Sequence, residues 1–328
     1  MKIGFVMMET IYPQRGGIHE QVYLLLRELK KYEDAEIIAY SKRNVEEKGK
    51  SLLWLREMSP FFIDRIIKGK YDVLVSETAW AILPTLISSK LSKADCILHL
   101  HSIESKQDVG LGMFGRNIIR FLESFSDYCN TILVPSENDA KLLKKKAIIF
   151  PNIIDTDAFN EKPQDLKKPA VVFVGGMGYP PNREAAEFLI RVSKRVQEMG
   201  RNVNFYLVGP SPPQVSPPIY ATGYVRSTIP YILGADICVA PLKRGGGVKL
   251  KVLEYMGSGK PIIATKKAVE GIEKINYVNA ETEEDFATAI INILEDKTNI
   301  NFEENKEIVM NNHSPKSAVQ KFLEVIKK

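Results

Sequence analysis

Three consecutive glycines precede a short helical pattern with two lysines and a glutamate in RGGGVKLKVLEYMGSGKPIIAT, residues 244–265. Glycines let a backbone come close to a ligand, and the free N–H groups at the start of a helix attract an anion. At helical spacing, one face carries Gly247, Lys251, Glu254 and Ser258. This order of groups suits a pyrophosphate followed by a sugar with neighbouring hydroxyls. The alternative is a flexible turn before a surface helix with solvated lysines.

Two other glycine motifs and one acidic pair suggest different chemistry. GSGKP at 257–261 is similar to the end of a Walker A loop, but proline stands where Ser or Thr would hold magnesium. GGMGYPP at 175–181 follows a strand as a dinucleotide fingerprint does, yet it lacks the third glycine. Asp155 and Asp157 form a D-x-D pair of the kind that binds a metal with a sugar nucleotide. Such pairs are common by chance, so we predict no metal site.

The composition is that of a soluble globular protein large enough for two domains. Of 328 residues, 45% are apolar and 26% are charged. The net charge of +5 comes from the second half, because residues 1–165 contain 23 Lys and Arg against 23 Asp and Glu, and residues 166–328 contain 22 against 17. This distribution favours an anionic ligand in the second half and argues against a nucleic-acid protein with a broad basic face. A few solvated lysines would give the same count.

Cysteine spacing and the N-terminal segment indicate a cytoplasmic protein. Cys96, Cys129 and Cys238 lie far apart without a C-x-x-C pairing, so we predict small core residues rather than a disulfide framework or a zinc site. The first apolar run, IGFVMM, stops at Glu9 and is too short for a signal sequence or a membrane span.

A glycine loop of this kind needs a strand before it and a helix after it, and the chain repeats that pattern in two series. Short apolar segments rich in β-branched residues alternate with helical patterns up to a polar linker near 160–169. A second series then runs from VVFVGG to PIIAT. We predict an α/β fold with two parallel sheets. The predicted parts are an N-terminal domain 1–165, a second domain 166–312, and a C-terminal helix in 313–328 that packs back on the first domain.

Four segments, in this order and with these gaps, resemble the nucleotide-sugar-binding half of glycosyltransferases of the GT-B fold, family 4. They are FPNIIDTDAF, FVGGMGYPPNREAAEFL, the stretch from GYVRSTIP to KPIIAT, and VEGIE. The match covers nearly the whole chain and is strongest over about residues 148–273. It implies two facing Rossmann-like domains with a cleft between them, the first binding the acceptor and the second the activated sugar. It also implies no bound divalent ion and places Asp155 and Asp157 at the end of the first domain.

The resemblance also implies roles for individual residues. Gly16 and Gly17 match the loop that reaches the donor phosphates, and Glu254 matches the glutamate that binds the ribose. His101 matches the histidine near the transferred sugar, although His99, on the same face of its strand, could take that role. The donor site would include Gly175 and Gly176 after the FVG strand, and Gly245, Gly246 and Gly247 before the helix.

The sequence departs from the family pattern at three positions. Gly246 stands where the family has a glutamate that contacts the donor sugar, and Gly176 and Pro181 replace the Arg and Lys that hold the diphosphate. We therefore assign the diphosphate to Lys249 and Lys251, with Arg244 as a third cation.

The function implied is a retaining transfer of a sugar from a nucleoside diphosphate, with UDP favoured, to an acceptor hydroxyl in glycan or glycolipid synthesis. Apart from this donor, no cofactor and no nucleic-acid partner are expected. A nucleotide-sugar epimerase and a non-catalytic nucleotide-sugar-binding subunit are the alternatives.

Two segments of the first domain bear on the acceptor. Residues 49–70 and 110–125 mix basic and large apolar residues, as a helix on an anionic membrane does. A lipid-linked acceptor and peripheral contact with the inner face of the membrane would follow. Buried helix faces explain the same residues, and we favour that interpretation.

Overall fold

The computed structural model describes residues 1–12, 16–42, 55–106 and 112–327. The chain forms two compact units. Unit 1 comprises Met1–Ile153, Gly246–Val248 and Pro315–Lys328, and unit 2 comprises Ile154–Gly245 and Lys249–Ser314.

This division differs from the predicted boundary at 165/166, because the segment 154–165 is bonded within unit 2. The Ile154 N–H donates to the His313 carbonyl at 2.9 Å, and the Gln164 N–H donates to the Pro230 carbonyl at 2.8 Å.

Unit 1 contains a six-stranded parallel sheet with helices between its strands. The strands are β1 Lys2–Glu9, β2 Asp34–Ser41, β3 Val73–Glu77, β4 Asp95–His99, β5 Thr131–Val134 and β6 Ile148–Ile149. The described α-helices are α1 Gly17–Leu29, α2 Pro60–Lys68, α3 Ile82–Ser92, α4 Met113–Glu123, α5 Glu137–Ala140 and α11 Pro315–Ile326. The strand order is β2-β1-β3-β4-β5-β6. Strand β3 is buried at every residue, as a strand covered on both faces requires.

Unit 2 repeats this architecture. Its strands are β7 Ala170–Val174, β8 Asn204–Val208, β9 Ile219–Gly223, β10 Ile237–Ala240, β11 Ile262–Ala264 and β12 Val278–Asn279. Its helices are α6 Pro180–Glu198, α7 Ile229–Gly234, α8 Leu250–Ser258, α9 Glu283–Leu294 and α10 Glu304–Asn312. The order is β12-β11-β10-β7-β8-β9, with all pairs parallel. Both units have the Rossmann-like α/β character expected from the sequence.

The C-terminal helix α11 completes the core of unit 1. Phe322 lies with its ring centroid 5.9 Å from that of Phe5 in β1 and 6.1 Å from that of Phe150, and all three side chains are buried. Burying three aromatic rings removes a large apolar area from water, so this helix is part of the folded unit.

A local sequence signal marks the start of helix α9. Helix α9 starts with a capping box, in which the Thr282 hydroxyl accepts from the Asp285 N–H at 3.1 Å and the Asp285 carboxylate accepts from the Thr282 N–H at 2.9 Å. Of the helices described, none has the length and apolarity that a membrane crossing requires.

Candidate functional site

The strand order of unit 2 creates a ligand-binding position between β7 and β10. These strands are neighbours, and the chain continues from β7 to β8 and β9 on one side and from β10 to β11 and β12 on the other. Open parallel sheets bind ligands beyond the carboxyl ends of the strands at such a point. Gly175 and Gly176 follow β7 directly, and the triple-glycine segment follows β10.

The triple-glycine segment needs glycine for backbone reasons. Gly245 has a φ of +109° and Gly247 a φ of +65°. Residues other than glycine rarely adopt these values. A Cβ on Gly245 would lie 3.6 Å from the Tyr179 hydroxyl oxygen. The loops after β7 and β10 therefore lie close together within unit 2.

Helix α8, which follows this segment, is fixed against the end of β7. Its inner face carries Val252, Tyr255 and Met256, all fully buried. The Tyr255 hydroxyl accepts the Val174 N–H at 2.9 Å, in the last residue of β7, and burial raises the pKa of this phenol. Ser258 is also buried, with its hydroxyl on the Tyr255 carbonyl at 2.7 Å, so it is not part of a ligand-facing surface.

Lys251 is a cation that the fold brings close to both loops. Its Nζ donates to the Asn182 Oδ1 at 2.7 Å and lies 4.4 Å from the centroid of the Phe173 ring. Burial, and to a smaller extent the positive charge of Lys249, lowers the pKa of Lys251 to about 7, against the opposing effect of Glu254. The side chain is only partly buried, so the ammonium is a poorly hydrated group that gains from a bound anion.

Two neighbouring glycines differ sharply in how much room they have. A Cβ on Gly175 would lie 2.7 Å from the Lys251 Nζ and 2.9 Å from the Asn182 Cγ. A Cβ on Gly176 would have the Pro210 Cγ, at 3.7 Å, as its nearest neighbour among the described residues. The absence of a side chain at position 175 is therefore what allows Lys251 and Asn182 to meet.

The other predicted donor residues of unit 2 take different positions. Lys249 was expected within the helix, but it precedes Leu250 as the N-cap residue, and its Nζ donates to the Gly245 carbonyl at 3.3 Å. Arg244 is exposed and forms a bidentate ion pair with Glu184, with its Nε 2.8 Å from Oε2. Glu254 lies about one turn beyond Lys251 in α8 and is partly buried.

In unit 1 the predicted histidines share one carboxylate that sequence reasoning missed. Glu77 ends β3, and its side chain is fully buried. The Nδ1 of His99 lies 3.0 Å from Oε1 of Glu77, and the Nε2 of His101 lies 2.8 Å from Oε2. One carboxylate thus holds both rings, and the role of His101 at the transferred sugar stays a prediction.

Charge and hydrogen bonding favour ionised Glu77 and neutral His101. Burial alone would raise the pKa of Glu77, but the two histidines lower it to about 2. Burial and the proximity of His99 lower the pKa of His101, against the hydrogen bond that His101 donates to Glu77. A neutral His101 that donates from Nε2 to Glu77 has an unprotonated Nδ1, and this atom is buried with no hydrogen-bond partner among the described residues. The ring therefore offers an acceptor at Nδ1.

Gly16 and Gly17 begin helix α1 at the carboxyl-end side of β1, which pairs with β3. Gly16 is the N-cap residue with a φ of +84°, and among the described residues nothing lies within 4 Å of the position of a Cβ there. Residues 13–15, which precede Gly16, lie outside the described chain.

The D-x-D pair has a backbone role. The Asp155 side chain accepts the Asp157 N–H at 3.3 Å and caps the short 3-10 helix Thr156–Asn160. Among the residues described, the donor atoms of Glu77, His99 and His101 lie within 4.8 Å of one another and could hold a metal ion. The two hydrogen bonds to Glu77 account for this clustering without an ion.

Helix α4, in the second segment considered for membrane contact, has a buried apolar face and an exposed apolar face. In α4, Ile119 and Leu122 are fully buried, as the interpretation we favoured requires. That interpretation is wrong for the larger residues on the other side of the helix. The exposed fractions are 83% for Met113, 68% for Phe114 and 49% for Phe121. Residues 49–54 and 110–111 lie outside the described chain.

Asn182 and Glu77 are the site residues that the sequence analysis did not identify. Asn182 donates from Nδ2 to the Gly176 carbonyl at 3.0 Å while Oδ1 accepts from Lys251. The only signal for Asn182 was its position in the first turn of the helix after a glycine segment. Glu77 had a clearer signal, as a carboxylate ending an otherwise apolar strand.

Comparison with known proteins supports the family resemblance. Residues 168–296 match the family model described as Glycosyl transferases group 1. A search of curated proteins finds no match.

Several solved structures share the fold over the whole chain. HepE from Anabaena, solved with UDP, has a TM-score of 0.73 at 14% identity, covering 100% of both chains. Sucrose-phosphate synthase from Thermosynechococcus elongatus has a TM-score of 0.74 at 15% identity, covering 99% of this chain and 98% of its own. A glycosyltransferase from Rickettsia africae has a TM-score of 0.70 at 16% identity, covering 99% and 98%. The predicted fold class, that of GT-B glycosyltransferases, is confirmed.

Proposed function

We propose that this chain is a retaining glycosyltransferase that moves a sugar from a nucleoside diphosphate, with UDP favoured, to an acceptor hydroxyl. The fold and the family model support transfer chemistry. The observation that carries the proposal is the partly buried Lys251, held by Asn182 beside two glycine loops where β7 and β10 end. A lowered pKa at a ligand-binding position of the fold is typical of a functional group.

In this proposal, the triple-glycine segment and the start of helix α8 bind the diphosphate. The backbone N–H groups of Gly245, Gly246 and Gly247 and the ammonium of Lys251 surround it, with Lys249 as a further cation. As the bond from the anomeric carbon to the phosphate oxygen breaks, the electron pair moves onto the β-phosphate. The N–H groups and ammonium groups already in place there bind the transition state more strongly than the ground state. Losing one such donor costs about 3 kcal/mol of barrier, roughly two orders of magnitude in rate.

The arrangement suits retention because the departing phosphate can take the acceptor proton. The acceptor oxygen bonds to the anomeric carbon on the face that the phosphate leaves, and its proton passes to a phosphate oxygen. No side chain then needs to act as a base. Arg244 can join the phosphates only by leaving Glu184, and exposed ion pairs of this kind are weak. It is therefore a secondary contributor.

We assign the ribose to Glu254 and a hydroxyl of the transferred sugar to His101. A carboxylate accepts hydrogen bonds from both hydroxyls of a diol. His101, held by Glu77 through Nε2, would accept a hydroxyl proton at Nδ1. Gly16 and Gly17, at the N-terminus of α1, would add backbone N–H donors. We expect no metal ion and no cofactor beyond the donor.

The acceptor we propose is a glycan or a lipid-linked glycan at the inner face of a membrane. The support is the exposed apolar side of α4, which also carries the exposed Arg120. Aromatic side chains beside arginines suit an interface of acyl chains and anionic headgroups.

The proposal is tested in two steps. A thermal-shift panel of UDP-, GDP- and ADP-sugars should show stabilisation by one nucleotide, since a ligand at 100 times its dissociation constant adds about 2.7 kcal/mol. The purified chain, with EDTA present, should then release the nucleoside diphosphate from that donor. Binding without release favours a non-catalytic subunit, and conversion to an isomeric donor favours an epimerase. Stabilisation by no nucleotide would contradict the proposal.

A further inference from the structure

Two cysteines that are distant in the sequence meet in the core of unit 1. The Sγ atoms of Cys96 and Cys129 lie 3.0 Å apart, and each residue is 1% exposed. Cys96 lies in β4, and Cys129 lies two residues before β5. No sequence pattern indicated this contact, since 32 residues lie between the two cysteines.

The backbone around both cysteines is held firmly. The Cys96 N–H donates to the Asn130 Oδ1 at 2.9 Å, and the Asn130 N–H donates to the Cys96 carbonyl at 2.8 Å. The Cys129 N–H donates to the Ser126 carbonyl at 3.1 Å. A disulfide has an S–S bond of about 2.05 Å and spans the distances found between adjacent strands. The two sulfurs therefore need to approach by only about 1 Å, which side-chain rotation can supply.

We propose that Cys96 and Cys129 are a redox pair that closes to a disulfide joining β4 to β5. The oxidant is a small-molecule disulfide. A thiolate of the pair attacks one sulfur of this disulfide, forms a mixed disulfide and releases one thiol. The second cysteine then attacks the protein sulfur of the mixed disulfide and releases a second thiol. In total, two protein thiols become one protein disulfide and one small disulfide becomes two small thiols, so electrons and protons balance.

The environment of the pair makes this a slow, durable cross-link. The hydrogen bond with Cys96 and burial both raise the pKa of Cys129, so little thiolate forms while the core is closed. Exchange requires local opening of unit 1, and the disulfide, once formed, is shielded from reductants by the same burial. Because the cross-link closes a loop of more than 30 residues, it constrains the unfolded chain and should raise the unfolding temperature of unit 1.

Cys238 provides an internal control. It is buried in β10 of unit 2, and burial raises the pKa of its thiol. It has the same chemistry as the pair but belongs to the other unit.

The test uses the full chain, reduced and then incubated with oxidised glutathione a few degrees below its unfolding temperature. Thiols are then alkylated in denaturant and mapped by mass spectrometry. We expect alkylation of Cys238 alone, a cross-linked peptide containing Cys96 and Cys129, and an unfolding temperature several degrees above that of the reduced chain. Cys238→Ser should keep both effects, and Cys96→Ser and Cys129→Ser should lose them. Alkylation of all three cysteines, or persistent glutathione adducts at Cys96 or Cys129, would overturn the proposal. Because the mapping is made on the unchanged chain, the result does not depend on the variants folding.

Discussion

The ammonium of Lys251 and the side-chain oxygen of Asn182 are joined by a hydrogen bond of 2.7 Å, close to the end of β7. One residue lies in α8 after the triple-glycine segment, and the other lies in the first turn of α6. The bond therefore connects the two loops that flank the ligand-binding position of unit 2. It places Lys251 at this position. Burial disfavours the charged form of Lys251, and a bound anion would favour that charged form again.

Substitutions at Gly175 and Gly176 test whether the space beside Lys251 is needed for UDP binding. Gly175→Ala should displace Lys251 or Asn182, because its Cβ would lie 2.7 Å from Nζ. We expect UDP affinity to fall at least tenfold. Gly176→Ala is the matched control, since its Cβ would have only ordinary contacts, and it should change affinity less than twofold. The same loss of UDP affinity in both variants, measured by isothermal titration, would show that the space beside Gly175 does not determine how Lys251 binds UDP.

The pKa of Lys251 predicts how the stability of the free protein depends on pH. This pKa is about 7 in the fold and 10.5 in the unfolded chain, so the unfolded state binds more protons between pH 7 and 10.5. The free energy of unfolding should therefore rise with pH, by about 1–2 kcal/mol between pH 7 and 9. Lys251→Met should remove this rise, and Lys194→Met, at an exposed position of α6, should keep it. Urea titrations at both pH values measure it, and the same pH dependence of the free energy of unfolding in the two variants would contradict the lowered pKa of Lys251.

Glu77 should support both the fold and the orientation of His101. Its pKa of about 2 lies below the ordinary value of 4.5, so its stabilising effect is present above pH 4.5 and is lost as the pH falls toward 2. Glu77→Gln should lower the free energy of unfolding at pH 7 by roughly 3 kcal/mol, because both histidines lose a charged partner and the amide oxygen can accept from only one of them. It should also flatten the acid side of the stability profile. The exposed Asp127→Asn is the control, and an unchanged profile for Glu77→Gln would contradict the shared carboxylate.

The exposed side of α4 should carry the membrane affinity. Replacing Phe114 and Phe121 with Ser removes two exposed aromatic side chains, and burial of each in the interface would contribute about 1.5 kcal/mol or more. Retention on vesicles of phosphatidylcholine and phosphatidylglycerol should fall at least tenfold. Tyr224→Ser, at an exposed aromatic residue of unit 2, should leave retention unchanged. If the unchanged chain were not retained on anionic vesicles, the proposed membrane contact would be contradicted.

Sequence reasoning identified the parts of the molecule that depend on local pattern. Apolar strands, helical periodicity and the glycine segment predicted two α/β sheets and the loop after β10, because each signal lies within a few neighbouring residues. Pairings across the fold could not be obtained in this way. Asn182 meets Lys251 across 69 positions, and Glu77 meets His101 across 24. Only the strand order brings such residues together, and one sequence does not specify that order.

The most direct test of the central claim is the affinity for UDP of three proteins at pH 8: the unchanged chain, Lys251→Met and Lys194→Met. Titration in two buffers that differ in ionisation enthalpy also counts the protons taken up on binding. We predict that the unchanged chain and Lys194→Met bind equally and take up close to one proton, because the diphosphate returns Lys251 to its charged form. Lys251→Met should bind about 100-fold more weakly with no such uptake. Equal affinity and equal proton uptake in all three proteins would contradict the claim that Lys251 holds the diphosphate.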